Sequence, residues 1–167
     1  MDRLFLRTLV CTAALAGLFV SQPAGAASAT TGTFRIASSE HPGYAMVSRR
    51  AGDPIRALPG ERGDLWEFVV IDYRPAGPIY QIRNARTRWC LRPHRYDPGG
   101  AFVEQGACGV SDYVTWCLRN DGGSQYISLA ADPQTIAYGT TTTGPGMTVI
   151  AGHGGNGRSA HWILRPA

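Results

Sequence analysis

From Phe34 onward the chain is written in short apolar runs, several alternating with period two, each closed by turn residues. Phe34/Ile36, Tyr80/Ile82 and Val114/Trp116/Leu118 alternate, and Tyr126 to Leu129 adds a further short run. Ala51-Gly52-Asp53-Pro54, Asp97-Pro98-Gly99-Gly100 and Asp121-Gly122-Gly123 read as turns. No amphipathic helical window of ten or more residues occurs after residue 26. Gly (21) and Pro (11) together fill nearly a fifth of the 167 positions, which opposes long helices. The pattern predicts an all-β chain of about twelve short strands.

The strands fall into repeats. Asp64-Leu65-Trp66-Glu67-Phe68, Val114-Thr115-Trp116-Cys117-Leu118 and Ala160-His161-Trp162-Ile163-Leu164 are similar, with their tryptophans 50 and 46 residues apart. At the offset of 46, Tyr80 meets Tyr126, Val103 meets Val149, Gly106 meets Gly152, Leu118 meets Leu164 and Arg119 meets Arg165. The first unit keeps the order of its runs but no constant offset. Three units of four strands predict pseudo-threefold symmetry, with Trp66, Trp116 and Trp162 in one core. The competing reading is an irregular β-sandwich with a fortuitous Trp spacing.

The middle unit carries a family resemblance. Tyr80-Gln81-Ile82-Arg83-Asn84, Thr87-Arg88-Trp89-Cys90-Leu91, Val103-Glu104-Gln105-Gly106-Ala107-Cys108 and Trp116 follow one another in order. This resembles one subdomain of the ricin B-chain-type β-trefoil lectins, which reads Y-x-I-x-N, C-L-D, a strand ending in Cys, and Q-x-W. The third unit matches moderately, and the first chiefly at its Trp strand. The resemblance implies a six-stranded barrel capped by hairpins, with units at roughly 30–72, 77–120 and 124–167. It also implies a Cys90–Cys108 disulfide, whose loop of 18 residues is worth about 3 kcal/mol in the chain-entropy model. Cys117 is then a free thiol, an intermolecular bridge or a packed small hydrophobe.

Composition narrows the function. All sixteen cationic residues are Arg, and the net charge of +4 is mild and spread along the chain, which argues against a nucleic-acid binder. Residues 1–26 read as a signal peptide: Arg3 and Arg7 precede the apolar run Leu9–Val20, and Ala24-Gly25-Ala26 offers a cleavage site. That run is too short to span a membrane, which needs roughly 20 residues. The expectation is a secreted protein with one β-trefoil domain at 27–167, its thiols in an oxidising compartment.

Enzymatic signatures are missing. The four His show no H-x-x-x-H or H-E-x-x-H spacing, no Cys-x-x-Cys occurs, and no G-x-S-x-G elbow is present. Gly152-His153-Gly154-Gly155-Asn156-Gly157 spells G-x-G-x-x-G, but a strand rather than a helix follows it, so it reads as a glycine-rich loop. No catalytic residue, cofactor or metal is expected.

The resemblance implies carbohydrate binding, yet its sugar residues are replaced. Arg92 stands where an Asp follows Cys-Leu, with Val47 and about Ala137 as counterparts, and Gly106 and Gly152 stand where an aromatic would stack. A guanidinium only donates hydrogen bonds, so a ligand at this unit must bring acceptors. Arg92, His94, Arg95 and Tyr96 are therefore the candidate binding residues. They belong to a stretch that also holds Arg83, Arg86, Arg88 and Trp89, suited to sulfated or sialylated glycans or to a solvated turn. Two function classes follow: a lectin-like module with degenerate galactose sites, favouring anionic glycans, or a secreted protein-interaction module, as a protease inhibitor or a toxin binding subunit. The expected partner is thus a glycan or a secreted or cell-surface protein, with no nucleic acid and no membrane span. For the second class, Ala51 to Arg62 and Thr140 to Met147 are the candidate loops.

Overall fold

The computed structural model describes residues 29–60, 62–141, 146–155 and 157–167. The leader expected at 1–26 lies outside the described residues. Twelve strands run in chain order: β1 Gly32–Ser38, β2 Tyr44–Val47, β3 Arg56–Pro59, β4 Trp66–Arg74, β5 Gly77–Asn84, β6 Cys90–Pro93, β7 Ala101–Gly106, β8 Trp116–Asp121, β9 Ser124–Leu129, β10 Ile136–Thr141, β11 Met147–Gly152 and β12 Trp162–Pro166. A 3-10 turn, Gly157–Ala160, is the single helical element among the described residues. β3 lies inside the stretch 51–62 and β10 covers Thr140, so neither candidate inhibitory loop is loop throughout.

Six strands close a barrel by antiparallel pairing around a ring: β1 with β4, β4 with β5, β5 with β8, β8 with β9, β9 with β12, and β12 back to β1. Closure leaves no barrel edge unpaired. The hairpins β2–β3, β6–β7 and β10–β11 cap one end. They hold one another through Met147 beside Ala57, Ile150 beside Phe102, and a bridge between Pro54 and Glu104. Ile55 N–H donates to Val103 O at 2.7 Å, and Val149 N–H to Ile55 O at 2.9 Å, so three fully buried branched side chains meet where the units converge. This architecture is a β-trefoil with pseudo-threefold symmetry.

The core follows from the alternation. Trp66, Trp116 and Trp162 are all 0% exposed and share one cluster with Ile36, Ile82 and Ile127. Strand register corrects one coincidence of the sequence repeat. Trp66 pairs with Phe34, Trp116 with Tyr80 and Trp162 with Gln125, so the counterpart of Tyr80 is Gln125 rather than Tyr126. Tyr80 is buried against Phe68, whereas Tyr126 lies outside, under the guanidinium of Arg119.

The expected covalent bond is present. Cys90 and Cys108 are joined, with their Cα atoms 4.9 Å apart, pinning the β7–β8 connection to β6. Cys117 is free and half-buried, on the face of β8 opposite the core.

Candidate functional site

The hairpin registers show which positions are equivalent. Met46 faces Ala57, Leu91 faces Gln105 and Ala137 faces Ala151, and Met46, Leu91 and Ala137 are all fully buried. The indole N–H of Trp116 donates to Leu91 O at 2.7 Å, and that of Trp162 to Ala137 O at 2.8 Å, which fixes the same equivalence. The residue after each buried one points outward, so the counterparts of Arg92 are Val47 and Tyr138. The third-unit assignment near Ala137 is thereby corrected by one residue, because Ala137 itself is a core residue.

Arg92 has a partner within its own hairpin. It sits opposite Glu104 across β6 and β7, and its Nε donates to Glu104 Oε1 at 3.1 Å. The other carboxylate oxygen meets His94 Nδ1 at 2.8 Å. Glu104 is only 4% exposed, and these two partners engage both of its carboxylate oxygens. The arm of Arg92 also fills the space beside Gly106: a Cβ built there would lie 2.5 Å from Arg92 Nε. An aromatic side chain at 106 and the present arginine rotamer cannot coexist.

The third unit is closed differently. A Cβ on Gly152 would come within 2.7 Å of Gly100 Cα, because the turn after Asp97 lies against it. Tyr138 lies over the glycine-rich loop, with its ring 2.6 Å from where a Cβ on Gly155 would be. Within this loop Gly152 packs on Gly100, Gly154 and Gly155 lie against Tyr138, and Gly157 adopts a φ of 67° that favours glycine.

His94 and Arg95 open onto a cleft among the cap hairpins. It has a volume of about 540 Å³ and is lined by Pro54, Gly100, Ala101, Phe102, Thr140, Thr148 and Ile150 besides these two. His94 stacks on Phe102 with ring centroids 4.5 Å apart. Arg95 reaches Asp97 at 3.2 Å, yet 71% of its side chain is exposed. Tyr96 turns the other way. Its hydroxyl donates to Asp132 at 3.2 Å and its ring meets Tyr113 edge-on at 5.0 Å. The four candidate residues therefore divide: His94 and Arg95 line the cleft, Arg92 supports it through Glu104, and Tyr96 belongs to a neighbouring cluster.

Asp132 anchors that cluster and was not singled out by sequence reasoning. Hydrogen bonds from His153, together with Thr135 and the Gln134 amide, outweigh partial burial and draw its pKa down to about 2. The Asp132-Pro133 step signals the turn, but His153 lies 21 residues away and carries no spacing signal. Two further arginines of the basic stretch are also engaged: Arg83 and Arg88 both hold Glu67, at 2.9 and 2.5 Å. Burial pushes the Cys117 thiol up, which opposes thiolate formation there. Among the described residues no cluster of His, Cys, Asp or Glu could hold a metal ion, and no helix is long and apolar enough to cross a membrane.

No protein-family model matches the chain, and no curated protein does. Solved structures do. The designed three-fold symmetric protein ThreeFoil is 18% identical with a TM-score of 0.69, over 81% of this chain and 99% of that one. The Rhizoctonia solani agglutinin is 12% identical with a TM-score of 0.67, over 84% and 98%. A mosquitocidal holotoxin is 15% identical with a TM-score of 0.69, over 84% of this chain, which spans only 18% of the holotoxin chain. At these identities the likeness carries the β-trefoil fold.

Proposed function

We propose that the protein is a secreted, non-enzymatic carbohydrate-binding module, lectin-like in architecture and selective for anionic glycans. In this reading residues 1–26 are the leader and 27–167 the binding domain. The observation that supports it best is the cap cleft: Arg95 presents an exposed guanidinium and His94 an imidazole edge beside the hydroxyls of Thr140 and Thr148. Donors of this kind suit sulfate and carboxylate oxygens. Arg92 acts as a positioning residue, since Glu104 connects its guanidinium to His94. Tyr96 offers a half-exposed ring at the adjoining edge. The resemblance of the middle unit to ricin B-type lectins and the agglutinin among the structural neighbours favour a glycan as the ligand.

A glycan array on the mature protein tests this. Sulfated or sialylated glycans are expected to bind, with binding weakened by salt and by Arg95→Ala. Galactose binding that ignores both would overturn the proposal. The filling of the second- and third-unit galactose positions by Arg92 and by the Gly100 backbone favours a second reading, a protein-interaction module. A blank array with inhibition in a protease panel would establish it instead.

A further inference from the structure

Arg83, Arg88, Arg92 and Arg95 each face a carboxylate, but among the described residues Arg35 and Arg62 of the first unit and Arg165 of the third do not. In the antiparallel pair β1–β12, Arg35 stands directly opposite Arg165. Like charges placed in this way repel across a sheet. Both line a pocket of about 360 Å³ that Arg62 completes, with Ala37 and Ala45 among its walls. Arg62 reaches the pocket because Gly63, at φ 76°, packs so closely on Ala45 that a Cβ there would lie 2.6 Å from the alanine's. The turn that presents Arg62 is therefore held against β2.

Nothing within the described residues balances this charge. Among the described residues no salt bridge involves Arg35, Arg62, Arg86 or Arg165, while Arg74, Arg83, Arg88, Arg92 and Arg95 each have one. Arg165 donates to Pro42 O at 2.9 Å, a neutral acceptor. Arg35 Nε is shut from solvent and has no hydrogen-bond partner among the described residues, a costly arrangement for a charged donor group. The nearest carboxylate in the adjoining cleft, Asp64, is used locally: it accepts from the Ser48 amide at 2.7 Å, the Ser48 hydroxyl and Asn84 Nδ2. That cleft, about 510 Å³, shares Arg35 and Arg62 with the first pocket and adds Arg86 at its far side.

The geometry points to a second binding site, an oxyanion receptor made by Arg35, Arg62 and Arg165 that takes a sulfate ester of a polysaccharide. A tetrahedral oxyanion supplies several acceptors at once, matches guanidinium forks and removes the repulsion between Arg35 and Arg165. The continuation of the groove past Arg62 to Arg86 favours a chain bearing repeated charges over an isolated ion. The choice of a glycan as carrier rests on the lectin-like reading above; the oxyanion site rests on the arginines alone.

Two arms test it. Sodium sulfate should raise the melting temperature of the mature protein above that in sodium chloride of equal ionic strength, and the Arg62→Ala/Arg165→Ala variant should lose this difference. Both substituted residues are exposed, so the variant is expected to fold, which its circular dichroism and melting curve would show. In the second arm, run in the Arg95→Ala background so that the cap cleft does not contribute, dextran sulfate should bind, and at least tenfold more weakly once Arg62→Ala/Arg165→Ala is added; uncharged dextran should not bind. An absent sulfate effect, or dextran sulfate binding that survives the double substitution, overturns the site. A sulfate effect with no dextran sulfate binding, or with tighter binding of single-stranded DNA at equal charge, overturns the carrier and leaves the lectin-like reading to its own assay at Arg95.

Discussion

Replacing each core tryptophan by phenylalanine should separate three residues that burial alone makes equal. Trp66, Trp116 and Trp162 are all fully buried, so the loss of indole volume leaves a similar cavity at each. Their N–H groups differ. Trp116 and Trp162 donate to Leu91 O and Ala137 O, whereas Trp66 Nε1 is buried without a partner among the described residues. The reason is local: Met46 O, the equivalent acceptor, already accepts the Asp64 amide at 2.9 Å, because the β3–β4 connection is shorter than its counterparts and brings Asp64 under the hairpin. At 116 and 162 the substitution loses a hydrogen bond and strands a carbonyl; at 66 it removes a stranded donor. The unmade bond of a buried group costs about 1–3 kcal/mol. Trp66→Phe should therefore be milder than the other two by about 1–3 kcal/mol, or roughly 3–4 °C of melting temperature per kcal/mol for a domain of this size. Urea unfolding with unchanged m-values is the assay. Equal losses at all three positions, or the largest loss at Trp66, would refute the reasoning. Full truncation to Ala should cost roughly 3–5 kcal/mol at any of them.

Asp132 sets an acid dependence. Its folded pKa, drawn from the ordinary aspartate value of 3.8 down to about 2 chiefly by His153, means its contribution is complete above about pH 4 and is lost as the pH falls toward 2. Asp132→Asn should flatten that part of the stability curve in acid-unfolding experiments. Glycine substitutions should rank by what the new Cβ meets: Gly106→Ala pushes aside the Arg92 side chain, while Gly152→Ala meets the Gly100 backbone and should be more destabilising in thermal melts. Removing the Cys90–Cys108 bond should cost about 3 kcal/mol. Non-reducing peptide mapping should show that bond with Cys117 unpaired, and Cys117 should alkylate slowly until the protein unfolds.

The barrel was legible because its signal is local: alternation, turn residues and three tryptophans on similar strands can each be read in a short window of sequence. The disulfide was legible only through the resemblance, since three cysteines permit three pairings. Even the repeat misled at Tyr80 and Tyr126, where a one-residue change of length in the third unit moves a core position to Gln125 and leaves the tyrosine outside. The candidate binding residues were harder for a physical reason. A run of Arg, His and Tyr specifies donors and rings but not what neutralises them, and the partners come from other strands: Glu104 for Arg92 and His94, Glu67 for Arg83 and Arg88, Asp132 for Tyr96. Charge density along the chain overstated this stretch, since folding pairs most of it. The reverse holds for Arg35, Arg62 and Arg165, which are scattered in sequence and inconspicuous there. Only the β1–β12 register brings two of them face to face, and only the turn at Gly63 adds the third. The proposed oxyanion site is thus marked by Arg35 facing Arg165 across β1 and β12, with no carboxylate opposite either. That property belongs to strand pairing, and no window of sequence contains it.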